Sequence, residues 1–321
     1  MSTRRLGRIL SVWSIAGGAG AALALAQWAL GLDIGVITKV LPLAVNGNTD
    51  VNTRSEFLRV SGGTAHPIEF SVLTAIALPI AIWCVTQTRG ATRIVHFAAA
   101  GLMATALPLA VSRSAVLAAG VAVILAAFGW SKRVRVNVVI LGIAFVVLFR
   151  AVSPGVLGTV ASLFRNASTD PSVTARTEDY AEISELWLGS PVIGIGIGTY
   201  RPEVYRFLDN QALLTVVEQG VLGLVAWLAA IVCAVLLCRR ARRAVPGNAS
   251  VKSLAWALTG GVGALSFSTL TYDTFSFTQS LSATMLMLGI CAAFDRVVRM
   301  AAPHDGQAAT RRLAPTRTAG R

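Results

Sequence analysis

The stretch QALLTVVEQGVLGLVAWLAAIVCAVLL, residues 211–237, decides the fold. It carries one charge, Glu218, and no alternation of apolar and polar residues. A hydrocarbon core of about 30 Å needs roughly 20 helical residues, and this run exceeds that length. A barrel strand would alternate instead. Seven further runs share the pattern: Ile9–Leu30, Pro67–Thr86, Arg93–Val111, Ala115–Trp130, Val136–Val152, Ser253–Leu270 and Phe275–Phe294. Backbone groups in lipid must be satisfied within their own segment, so such runs read as helices.

Composition agrees. Of 321 residues, 55% are hydrophobic and 13% charged, against about 25% charged in soluble domains. Mean hydropathy is +0.67. A water-soluble globule is excluded, and so is disorder, which needs low hydrophobicity and high charge. The reading is an all-α integral membrane protein with about eight transmembrane helices. The first span follows Arg4 and Arg5. Seven more spans come after it, so it is expected to be a retained anchor.

The net charge of +13 would suggest nucleic acid in a soluble protein, but here the basic residues flank apolar spans. They set topology, and no nucleic acid partner is expected. Alternate segments hold 19 and 9 Lys and Arg residues. The richer set comprises the N-terminus, 87–93, 131–135, 238–252 and the tail, so both termini are expected to be cytoplasmic. Residues 1–294 form a polytopic membrane domain with outer loops 31–66 and 153–209. Residues 295–321 form a basic cytoplasmic tail expected to be disordered beside anionic headgroups. No inner segment is long enough for a nucleotide-binding domain. Cys84, Cys233, Cys238 and Cys291 lie in or at the ends of apolar runs without a CxxC, and read as packing residues. His66, His96 and His304 lack ligand spacing, so neither metal nor cofactor is expected.

The outer loop 153–209 is more than a spacer. At helical spacing, Ser172–Ser190 places Tyr180, Ile183 and Trp187 near Arg176, with Glu178, Glu182 and Glu185 opposite. This predicts an amphipathic helix along the outer membrane surface. Arg176 on its apolar face either snorkels to lipid phosphate or meets a ligand phosphate. Gly194, Gly196 and Gly198 follow. No βαβ unit frames them as a nucleotide loop, so they read as a tight re-entrant turn. Arg201, Glu203, Arg206, Asp209 and Asn210 then lead into the sixth span. Glu218 within that span must face protein or water. Asp209 stands where it can cap the sixth helix. Arg59, Arg113, Arg176, Arg201 and Arg206 all belong to the outer face. Arginines converging there can hold a pyrophosphate through bidentate bonds without a metal. No D-x-D pair stands out as a divalent cation site.

Four stretches carry a family resemblance: RVSGGTAHP (59–67), SRS (112–114), Arg176 with LWLGSPVIGIGIGTY (186–200), and DNQALLTVVEQGVLG (209–223). In this order and on this face they resemble the O-antigen ligase and O-antigen polymerase superfamily of bacterial polysaccharide assembly. The resemblance covers roughly residues 50–240. It implies a metal-independent membrane glycosyltransferase in the cytoplasmic membrane, with its active face outward. The donor would be an undecaprenyl-pyrophosphate-linked glycan, and the acceptor a glycan or a lipid-linked hydroxyl. By position Arg59, Arg113 and Arg176 match motif arginines, and Arg206 lies near one. The family's histidine before Asn is Asp209 here, and the spans are fewer than the family's. The resemblance implies that Asp209 or Glu218 positions the acceptor hydroxyl, with Asp209 able to take its proton as a general base or only to cap the sixth helix. A flippase for a lipid-linked glycan, or a non-catalytic assembly subunit, would use the same residues without making a glycosidic bond.

Overall fold

The computed structural model describes residues 2–31, 53–54, 57–152, 155, 158, 180, 183–201, 203–205 and 207–302. Among the described residues eight long helices carry the fold: α1 (Thr3–Leu30), α2 (Pro67–Gln87), α3 (Gly90–Leu109), α4 (Arg113–Ala127), α5 (Lys132–Val152), α6 (Gln211–Ala244), α7 (Ala249–Ser268) and α8 (Thr278–Ala301). Each of the eight apolar runs falls on one of them. Among the described residues the remaining regular structure is slight. Thr53–Arg54 pairs antiparallel with Phe57–Leu58, and residues 183–189 are helical.

Among the described residues six helices, α1, α2, α3, α5, α6 and α8, are long and apolar enough to cross a membrane. Among the described helices α4, with 15 residues, is shorter than a spanning helix needs. The helix α7 has 20 residues but is rich in Gly, Ser and Thr. Its surroundings explain this. It packs against α2, α4 and α6, so protein rather than lipid covers most of its surface. Small residues let helix backbones approach where no hydrophobic effect drives them together. A side chain at Gly260 would strike the Ala122 carbonyl of α4.

The packing forms two adjoining cores. Ile76, Leu258, Met287 and Phe294 belong to the one built on α2, α7 and α8. Val60, Phe70, Ala77 and Met103 belong to the one built on α1, α2 and α3. A polar contact locks α1 to α3: the His96 ring nitrogens bond Ser11 at 3.0 Å and Ser14 at 2.9 Å. In contrast, α5 exposes Val139, Ile140, Ile143, Val147 and Leu148, and buries Phe149. A helix so apolar on its outer faces fits contact with lipid tails.

Successive helices alternate in direction. One end of the bundle gathers the starts of α2, α4, α6 and α8 and the ends of α1, α3 and α7. The other end holds most of the basic residues. There Asp295 of α8 accepts a bidentate bond from Arg240 of α6, with Nε–Oδ1 at 2.9 Å. We expect Gly260→Val to prise α4 from α7 and destabilise the bundle by about 1–3 kcal/mol, the usual cost of overpacking. A lowered Tm of the purified protein would show it, and an unchanged Tm would argue against this close approach.

Candidate functional site

The site starts from a break in α6. At Gly220 the backbone turns to φ 64 and ψ −163, a conformation open to glycine alone. A break in a membrane helix strands amide and carbonyl groups, each costly to leave unpaired in lipid. The glycine loop answers them one by one. Ile195 and Gly196 donate N–H bonds to the Val217 and Glu218 carbonyls, both at 2.9 Å. Val221 and Leu222 donate to the Pro191 and Val192 carbonyls at 2.9 and 3.2 Å. This contact needs bare backbone on both sides. A side chain at Gly194 would strike the Glu218–Gln219 peptide, and one at Gly220 would strike Val192. The tight turn expected from Gly194, Gly196 and Gly198 is thus present, and it packs on the opened helix.

The loop brings side chains with it. The Glu218 carboxylate is buried and accepts the Tyr200 N–H at 3.2 Å. Ile183, Tyr200, Leu208 and Val217 pack into a small apolar cluster beneath it. The helical residues 183–189 therefore dock on the base of α6 through Ile183 and Leu186, while Tyr180 is exposed. The cap of α6 is Asn210, whose Oδ1 accepts from Leu213 N at 3.2 Å. This corrects the alternative that Asp209 caps the helix. Asn210 sits one residue closer and presents the acceptor oxygen, which leaves Asp209 outside the capping role.

A third carboxylate joins this pair. Asp273, in the turn between α7 and α8, is buried, and its Oδ1 has no hydrogen-bond partner among the described residues. Burial pushes its carboxyl above the usual range, bonds from Ser276 oppose that, and the charges of Asp209 and Glu218 raise it further. Residues 211–212 and 269–275 hold the turn in place. Gln211 donates its N–H to Tyr272 O at 3.2 Å, and its Oε1 accepts from Phe275 N at 2.7 Å. No D-x-D motif encodes this acidic group, because two stretches far apart in the chain, residues 209–218 and the α7–α8 turn, assemble it. Among the described residues no cluster fit to hold a metal ion occurs.

Arg59 and Arg113 stand at the same end of the bundle. Arg59 donates from Nε to Ala110 O at 3.0 Å, which docks it on the turn leading into Arg113. That turn is strained: Val111 is buried with φ 47, a left-handed conformation rare for a β-branched residue. Arg113 begins α4 and is half-buried. His66 caps α2, its Nδ1 accepting from Ile68 N at 3.2 Å. Burial, and then the charge of nearby Arg59, lower its pKa to about 4. The His66 ring lies 5.9 Å from Phe277, which lies 5.5 Å from Tyr272. One turn into α2, buried Glu69 accepts from Gln279 N and Ser280 N, both at 3.1 Å, clamping the start of α8. Arg59, Arg113, His66, Tyr272 and Asp273 thus all lie at this end of the bundle, termed the collar below. Arg176 and Arg206, the other two expected phosphate-binding residues, lie outside the described residues, as does most of the tail.

Sequence reading missed Asp273, Glu69 and the capping role of His66. Signals existed for two of them. Glu69 is an acid inside an apolar run, the criterion that singled out Glu218. Asp273 is the one acid in the outer turn 271–274. Counting basic residues for topology passes over that turn because it holds none.

A multi-pass helical membrane protein with a polar collar at one end of its bundle is the class these features define. Residues 97–228 match the family model of the O-antigen ligases, from α3 into the second half of the broken α6. The match bears out the O-antigen ligase and O-antigen polymerase superfamily that the motifs resemble, and indicates a membrane glycosyltransferase role of that type. No curated protein matches the chain.

Two outcomes follow. Gly220→Ala should cost of order 1–3 kcal/mol in backbone strain alone. Limited proteolysis reads it as faster cleavage within Ser190–Tyr200, and unchanged cleavage would contradict the loop's anchorage. The second concerns pH. Folded His66 stays neutral down to about 4, whereas a solvent-exposed imidazole titrates near 6.5. Between those values the unfolded chain binds more protons, so stability falls as pH drops through that window. His66→Asn keeps a capping oxygen and should flatten this part of the Tm–pH curve; an unaltered curve would place the titration elsewhere.

Proposed function

We propose that this chain transfers or polymerises glycan from an undecaprenyl-pyrophosphate-linked donor at the outer face of the cytoplasmic membrane. The observation that carries the reading is the extent of the family match. Residues 97–228 include Arg113, Arg176, the glycine loop, Asp209 and Glu218. The positive-inside count supports the outward face, since the collar lies at the sparsely basic helix ends. It also supports about eight membrane-embedded helices with both termini inside, α4 and α7 being enclosed by their neighbours.

The chemistry follows from charge. The glycosidic bond between the donor's anomeric carbon and the phosphate oxygen breaks, and its electron pair leaves with the pyrophosphate. Arg59, Arg113, Arg176 and Arg206 neutralise that developing charge, with no metal required. The acceptor hydroxyl oxygen bonds the anomeric carbon, and its proton passes to a carboxylate. Asp209 is the proposed base, since Asn210 has taken the cap. Asp273 is a second candidate, because a carboxyl held above its ordinary range retains a proton more readily. Glu218 serves by fixing the loop that shapes the site. Discontinuous helices also occur in transporters, where the break lies near the midplane. Here Gly220 falls in the first third of α6, near the collar.

Transfer from a purified lipid-linked donor by the protein in nanodiscs tests the reading. Arg113→Ala should abolish product, and Asp209→Asn should slow transfer roughly a hundredfold, the scale of general-base catalysis. Relocation of donor with no new glycosidic bond would establish a flippase instead. Absence of both would leave an assembly subunit.

A further inference from the structure

At the bundle end opposite the collar, a groove of about 300 Å³ runs between the last turns of α6 and the first half of α7. Val235, Cys238, Arg239 and Arg242 line one wall, and Trp256 and Thr259 belong to the other. The α6 positions recur at i, i+3, i+4 and i+7, so they form one helix face. The groove is apolar within and cationic at its rim. The Arg242 guanidinium lies over the Trp256 ring, 5.1 Å from its centre, which fixes the side chain at the groove's edge. Arg240 next door is committed to Asp295. Among the described residues no carboxylate pairs with Arg239 or Arg242.

Helix α6 supplies a second observation. Val225, Leu228, Val232 and Leu236 are exposed and follow one another at helical spacing. Arg239 is the next member of that series. A lipid-facing stripe thus ends in a guanidinium, beside a second guanidinium and an apolar slot. A free anion would satisfy the arginines but leave the stripe and slot unused. A phosphodiester carrying its own hydrocarbon satisfies all three, and basic pockets between helices at this membrane level suit anionic headgroups.

We propose that the α6–α7 groove is a binding site for an anionic membrane phospholipid, with Arg239 and Arg242 holding the phosphate and the acyl chains lying along the exposed stripe of α6. The lipid ties together two helices that each reach the collar at their other end. Native mass spectrometry of the full chain, titrated with phosphatidylglycerol and separately with phosphatidylcholine, tests it. We expect phosphatidylglycerol to be retained preferentially. The double variant Arg239→Gln/Arg242→Gln should weaken its binding roughly tenfold. Lys132→Gln/Arg133→Gln, which removes the same charge at the start of α5, should leave binding unchanged. Thr259→Phe fills the groove and keeps every charge, and should weaken binding as the first pair does. Equal loss from both charge-removing pairs, full binding by Thr259→Phe, or displacement of the lipid by millimolar inorganic phosphate would each overturn the proposal.

Discussion

The hydrogen bonds between the glycine loop and the opened turn of α6 are the constraint on which the rest of the collar depends. A helix cannot break in a membrane unless something else satisfies its backbone. Residues 191–196 do so, and only because Gly194 and Gly220 let two backbones meet without side chains between them. Once that contact forms, Tyr200 is brought to Glu218, and the segment ending at Asp209 and Asn210 is led onto the start of α6. The α7–α8 turn is then held against this start by Gln211, which brings Asp273 within electrostatic reach of Asp209 and Glu218. Local backbone chemistry thus assembles an acidic group from distant stretches of chain.

The arginine side of the collar uses a different device. Val111 is held in a left-handed conformation that costs of order 1–3 kcal/mol. The tight turn it makes joins α3 to α4, starts α4 at Arg113, and leaves the Ala110 carbonyl facing Arg59. Buried Glu69 and capping His66 keep the start of α2 registered against the start of α8. In the proposed function the arginines grip the pyrophosphate while the carboxylates handle the acceptor's proton. The opposite end, where Asp295 joins α8 to α6, keeps the helix ends together without entering the chemistry.

Much of the helical framework was legible in the sequence. Hydropathy located all eight helices, because each must bury backbone polar groups along an apolar run. Among the described residues six of these are long and apolar enough to cross a membrane; α4 is short, and α7 is built of small residues and packs against protein. The glycine turn was legible as a turn but not as the partner of Gly220, because hydropathy shows no sign of a break inside QALLTVVEQGVLG. Asp209 and Glu218 stood out as charges beside or within an apolar run. Asp273 did not, since its meaning comes from neighbours more than 50 residues away in the chain. No periodicity argument reaches such a contact.

The most direct measurement of the central claim is photo-crosslinking of the full chain with an undecaprenyl-pyrophosphate glycan that carries its reactive group beside the diphosphate, followed by peptide mapping. The account predicts label on the peptides around Arg59–His66, Ala110–Arg113 and Asp209–Glu218, and its loss on competition with unlabelled donor. Label confined to the basic end of the bundle, or spread along the lipid-facing side of α5 with the collar peptides clean, would contradict it.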